Sequence, residues 1–203
     1  MKDKLTPTQL DALKEASNIG TGHAAIALSQ MVKKKIMIAV PRSDILPSEV
    51  FLKNMVGDKN IEVAGVYLKT LGDVKGAIIF MFRKESAIKL CDLLLFRKPG
   101  ETKFIDEKCQ SVLKEAGSIL TGAFFSVLAD MLDLKVFHQA PYYAYDVAEI
   151  IMNGVCTEIF GDYKERLCLA TEFIESSIKI KGSFAFVPAE EAMKTILEKL
   201  KAK

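Results

Sequence analysis

The chain has no tryptophan, and its only imidazoles are His23 and His138. Its four cysteines, Cys91, Cys109, Cys156 and Cys168, are widely spaced and include no C-x-x-C pair. Residues close in sequence therefore cannot assemble a zinc-type ligand set, and no cofactor or metal is expected on this chain. The thiols read as buried apolar groups in a reducing compartment. A strong charge of one sign is missing too. The net charge of +2 is too small to point to nucleic acid or an anionic membrane as a partner. Lys33-Lys34-Lys35 is the only basic run, and it reads as solvated. No stretch of 18 or more apolar residues is present to span a bilayer. The opening Met1-Lys2-Asp3-Lys4-Leu5-Thr6-Pro7 lacks the apolar run of a signal peptide. A cytoplasmic protein is expected, without membrane insertion.

What the chain does have is a repeat. Shifted by 100 positions, Leu13, Lys14, Glu15, Ala16, Ile19, Thr21 and Gly22 fall on identical residues. So do Leu28, Met31, Lys35 and Pro41, which makes eleven identities in 29 ungapped positions, far more than unrelated segments share. The 203 residues, half of them hydrophobic, suffice for one domain or two small halves sharing a core. The expectation is a single domain over 1–203, built from repeats of about 6–98 and 104–202. The duplication lowers the need for a dimer, so a monomer is compatible with it.

Both copies of the repeat read as helices. At about 100° per residue, Leu10, Leu13, Ser17, Gly20, Ala24, Leu28 and Met31 share one stripe, the spacing of a face packed on a core. Its middle is small, which allows close approach. Asp11, Glu15, Asn18 and Gly22 form a second stripe on roughly the opposite side. Ile19 and Ile26 flank that stripe. In the second copy Ser111, Glu115, Ser118 and Gly122 take the same places. A solvated polar face would account for one such helix. A helical glycine, however, costs ~1 kcal/mol against alanine, and Gly22 and Gly122 both stand where core packing does not require them. A partner approaching closely would explain them.

The remaining elements follow from turn and cap signals. Thr6 or Thr8 caps a first helix that runs to about Val32, and Lys35–Val40 reads as a strand ending at Pro41. A short helix is expected over Ser48–Met55. Ile61–Thr70 and Val74–Arg83 form a hairpin around Gly72-Asp73, and Lys84–Phe96 is a helix. The second half replays the order: a helix over Asp106–Leu132, a strand over Lys135–Ala140, and a helix over Tyr145–Phe160. Strands over Leu167–Ile174 and Ile178–Val187 follow, then a helix over Ala189–Lys201. Val74-Lys75-Gly76 is echoed 106 positions later by Ile180-Lys181-Gly182. The fold class is α+β: tandem pseudo-symmetric halves sharing one largely antiparallel sheet, with two long helices exposed on one face.

Asp11-x-x-x-Glu15-x-x-Asn18, followed after 22 residues by Pro41, resembles the signature of the CheC / CheX / FliY chemotaxis phosphatases. Ser111-x-x-x-Glu115-x-x-Ser118, with the same distance to Pro141, repeats it with serine in place of asparagine. The resemblance covers nearly the whole chain, and two copies are similar to the CheC branch. It implies hydrolysis of the aspartyl phosphate of a response regulator, CheY. Asn18 would orient the attacking water, Glu15 would pair with the regulator's lysine, and Glu115 with Ser118 would form a weaker second site. Asp11, Ile19, Gly22, Ser111 and Gly122 would form docking surface. The resemblance also implies Mg2+ in the regulator's own acidic pocket, and the deamidase CheD as a second partner near the helix opening at Asp146. The alternative is a non-catalytic regulator that binds phosphorylated CheY or CheD through the same faces.

Overall fold

The computed structural model describes residues 6–35, 37–47, 50, 52–53, 56–160, 165–175 and 180–201, with residues 10, 17, 37–47, 160, 165–175 and 201 described for backbone alone. Helix α1 spans Pro7–Val32. Its start is a reciprocal cap: the Gln9 N–H donates to the Thr6 hydroxyl at 3.3 Å, and the Thr6 N–H donates to Gln9 Oε1 at 3.0 Å. Its end is the left-handed Lys33, at φ 52°. Strand β1 (Met37–Pro47), the hairpin β2 (Glu62–Gly72) and β3 (Gly76–Arg83), and helix α2 (Lys84–Leu94) complete the first half. Helix α3 spans Glu107–Leu132. It starts where the Asp106 carboxylate accepts the Cys109 N–H and ends at the left-handed Asp133, at φ 50°. The two long helices are thus equal in length and stop at the same offset of the repeat. Strands β4 (Val136–His138) and β5 (Tyr142–Val147), helix α4 (Ala148–Phe160), strands β6 (Glu165–Glu175) and β7 (Ile180–Pro188), and helix α5 (Glu190–Lys201) follow.

The seven strands among the described residues form one antiparallel sheet in the order β1-β6-β7-β3-β2-β4, with β5 also paired to β2. The expected fold class holds. Early and late segments interleave in the sheet: β1 pairs with β6, β3 with β7, and β4 and β5 with β2. At the centre Ile79 lies opposite Ala185, the residue that the echo 106 positions away makes its counterpart.

Period-two alternation sends each central strand's side chains to both faces. Ile78, Phe80 and Phe82 on β3, with Phe184 and Phe186 on β7, face α1, α2, α3 and α5. Ala77, Ile79, Met81, Ala185 and Val187 face α4 and the segment carrying Leu52 and Val56. Covering both faces explains why β3 is buried from Gly76 through Phe82. Helix α3 is long and apolar enough to cross a membrane by length and composition, although no such segment was expected. Its apolar side, including Leu113, Leu120, Phe124, Phe125 and Leu128, lies in the first core. Cys91 and Cys109 are buried and unbridged, and Cys156 is buried. Burial, together with the neighbouring Cys109, pushes the Cys91 thiol far up.

Three expectations need correction. The first strand does not end at Pro41 but continues to Pro47. A register shift between Ala39 and Arg42 carries it past a residue with no N–H to donate. Tyr145–Val147 belongs to strand β5 and not to a helix, because Glu62–Tyr67 of β2 offers it a ladder along Tyr142–Val147. Helix α2 stops at Leu94 rather than Phe96, which is left-handed at φ 54°. The short helix expected over Ser48–Met55 falls partly outside the described residues; Val50, Leu52 and Lys53 are helical. The expected start of the last strand, Ile178, also lies outside them.

The connector between the halves is tied to one buried carboxylate. Asp92 Oδ2 accepts the Gly100 N–H at 2.7 Å, and Oδ1 accepts the Thr102 N–H at 2.8 Å. Burial works to raise the pKa of Asp92, but the Thr102 and Gly100 hydrogen bonds and the Arg97 charge outweigh it and hold the group below its ordinary value. A depressed folded pKa contributes stability above the unfolded value of about 3.9, and loses it as pH falls through the folded value. Asp92→Asn leaves a buried N–H facing an amide donor and should cost about 1–3 kcal/mol at neutral pH. Urea unfolding should show that gap narrowing in acid; an equal gap at both pH values would exclude a role for the charge.

Candidate functional site

Helix α1 is held tightly on α3. A Cβ added to Gly20 would stand 2.9 Å from Phe124 Cδ2 and 3.1 Å from the Phe124 carbonyl oxygen. Only a residue without a side chain allows this approach, so the small middle of the core stripe serves helix contact. Leu13, Ala16, Gly20, Thr21, Ala24 and Leu28 are buried on that side. The side chains of Leu10 and Ser17 lie outside the described residues. With its inner face seated, α1 has no freedom to turn, and its opposite stripe points to solvent.

On that stripe Asp11, Glu15, Asn18 and Gly22 are all exposed. Ile19 and Ile26, 40% and 58% exposed, flank it with apolar surface. No heavy atom lies within 4 Å of a Cβ built on Gly22. The acid and the amide are three residues apart on a helix, hence one turn apart on one face. Such a pair can offer a carboxylate to a cation while the amide both donates to and accepts from one water. His23 is exposed as well.

The second stripe on α3 differs in detail. Ser111 and Glu115 are exposed, but Ser118 and Gly122 are half-buried. His138 closes part of that face. Its Nε2 lies 3.9 Å from a Cβ built on Gly122, and its Nδ1 is 3.1 Å from the Gln139 carbonyl oxygen. The hydroxyls of Thr21 and Thr121, identical across the repeat, are buried with no hydrogen-bond partner among the described residues. Sequence reasoning did not single them out, although their identity at both positions was a signal. Asp146 lies in β5, so α4 opens at Ala148 and not at Asp146. The Glu149 carboxylate there is paired with Lys59 at 2.9 Å. Among the described residues, no three His, Cys, Asp or Glu side chains cluster as a metal site.

The CheC-like family model matches residues 9–43, which is α1 and the start of β1. The CheY-P phosphatase CheC of Bacillus subtilis is 26% identical over 171 residues, covering 83% of this chain and 81% of that one. Thermotoga maritima FliY superposes over 98% of each chain with a TM-score of 0.79 at 20% identity.

The chain is similar to CheC-type proteins along most of its length.

A chain of the CheX–CheY–BeF3–Mg2+ complex from Borrelia burgdorferi shares the fold more distantly, at TM-score 0.56 and 17% identity over 85% of this chain and 97% of that one. The segment that matches the family model contains the whole exposed stripe of α1. Because Gly22 meets nothing, Gly22→Ala should raise stability by up to ~1 kcal/mol through helix propensity. Gly20→Leu should instead destabilise by about 1–3 kcal/mol through overpacking against Phe124. Thermal unfolding of the two variants checks the pair, and a destabilised Gly22→Ala would mean that its surroundings are not open.

Proposed function

We propose that this chain hydrolyses the aspartyl phosphate of a CheY-like response regulator, with its main site at Glu15 and Asn18 on α1. The observation that carries the reading is the open stripe itself: an acid and an amide one turn apart, both in solvent, beside a glycine with free space around it. The likeness to a CheY-P phosphatase over most of the chain supports it.

The chemistry asks little more of this chain. An acyl phosphate is already labile, and phosphoryl transfer through a loose transition state depends mainly on position and charge neutralisation. Asn18 would hold a water in line with the phosphorus–oxygen bond, as a water-orienting glutamine does in GTPases. That water adds to phosphorus, and the aspartate leaves as carboxylate together with inorganic phosphate. Glu15 would pair with the regulator's lysine and set the docking register, with Asp11, Ile19 and Gly22 as contact surface. Mg2+ would be held by the regulator's own carboxylates.

The proposal includes the two-repeat organisation and a second site at Glu115 and Ser118, bordered by Ser111 and Gly122. A serine hydroxyl has a shorter reach than a carboxamide, and a misplacement of ~1 Å can cost on the order of a hundredfold in rate. The second site is therefore the weaker one. A CheD-type deamidase belongs to the same proposal as a further partner near the start of α4.

Loss of phosphate from a labelled regulator, with this chain present in substoichiometric amount, tests the reading. Wild type should accelerate it through many turnovers, and Asn18→Ala should remove on the order of a hundredfold of that acceleration while unfolding like wild type. Ser118→Asn in the Asn18→Ala background should restore part of it. Protection of the phosphate in proportion to added protein, without turnover, would instead mean a binder that sequesters the regulator.

A further inference from the structure

Away from the α1 stripe, the C-terminal end of α1, helix α2 and the connector between the halves enclose a groove of about 400 Å³, within the size range of ligand pockets. Ile88, Leu93 and Pro99 give it apolar walls, and Lys34, Lys89 and Arg97 stand around it. A second, more open depression of about 500 Å³ continues along α1 past Ile26, Ser29 and Gln30 to Lys33, Lys34 and Lys35. Lys34 borders both.

The charge balance of this trough is one-sided. Five cations line the two depressions, against the carboxylates of Glu85 and Asp92. The Asp92 oxygens are already engaged by the Gly100 and Thr102 N–H groups. Arg97 donates to the Thr102 hydroxyl at 2.9 Å. Lys34 and Lys89 are exposed and pair with no carboxylate among the described residues. Beside them Phe96 is 65% exposed, with the Lys33 ammonium 5.5 Å from its ring centroid. An accessible aromatic next to unneutralised cations and apolar walls has the make-up of a recognition surface.

We infer that this trough binds an acidic peptide segment of a partner protein, seating an aliphatic side chain between Ile88, Leu93 and Pro99 and its carboxylates on Lys34 and Lys89. The elongated, open shape suits an extended chain, and the excess of cations suits acidic residues. The inference goes beyond the phosphatase reading and does not depend on it, since Lys34, Ile88, Lys89, Leu93 and Pro99, which would hold the peptide, lie outside the Glu15–Asn18 stripe.

The test uses the full chain and a fluorescein-labelled peptide of glutamates flanking two leucines, read by anisotropy at low and moderate salt. The peptide should bind, and added salt should weaken it. Lys34→Glu with Lys89→Glu should lower its affinity at least tenfold, with circular dichroism and thermal unfolding unchanged. A peptide with serines for the leucines should bind more weakly, and one with lysines for the glutamates should not bind. Absence of binding, or equal affinity in the double variant, would overturn the inference. So would capture of phosphatidylglycerol vesicles, but not of the peptide, by wild type.

Discussion

Gly20 lying against Phe124 is the contact on which the arrangement of this molecule depends. A helix backbone that approaches within van der Waals distance of an aromatic ring and a carbonyl on its neighbour has one seat and one rotation. Phe124 is itself fixed from below by edge-on contact with Phe125 at 5.4 Å and Phe184 at 5.5 Å, and Phe125 meets Phe186 at 5.1 Å. The outward direction of Glu15 and Asn18 is therefore set from the sheet upward. Interiors packed to crystal-like density transmit such constraints because they hold little slack.

The sheet beneath has its own logic. Strands from the two ends of the chain are interleaved, the late pair β6 and β7 lying between the early strands β1 and β3. Ile79 opposite Ala185 at the centre joins the pairing register to the sequence echo. Helices on both faces then require apolar side chains on both sides of β3 and β7. For this reason Ala77–Phe82 has no alternation of apolar and polar residues to read.

The two long helices carry related faces in unequal condition. On α1 the glycine of the stripe is open and the amide reaches into solvent. On α3 the serine is half-buried, and His138 from the strand after the helix stands beside the glycine. One face presents an exposed acid and an exposed amide, whereas the other has an exposed acid with a shorter, partly covered partner.

Much of this was legible in the sequence, because it is local. Thr6 with Gln9 and Asp106 with Cys109 cap helices through groups three residues apart, and the 3.6-residue period sorts Glu15 and Asn18 from Leu13 and Leu28 without reference to any neighbour. Gly72, at φ 88° with the Lys135 carbonyl where a side chain would stand, could be read as a turn for the same reason. Tertiary structure alone decided what depended on distant partners. Tyr145–Val147 became strand because β2 lay alongside, β1 passed Pro41 because β6 absorbed a register shift, and Gly122 met a histidine sixteen residues away in sequence. The basic trough is of the same kind: Lys34, Lys89 and Pro99 are unremarkable separately, and only folding brings them around one space.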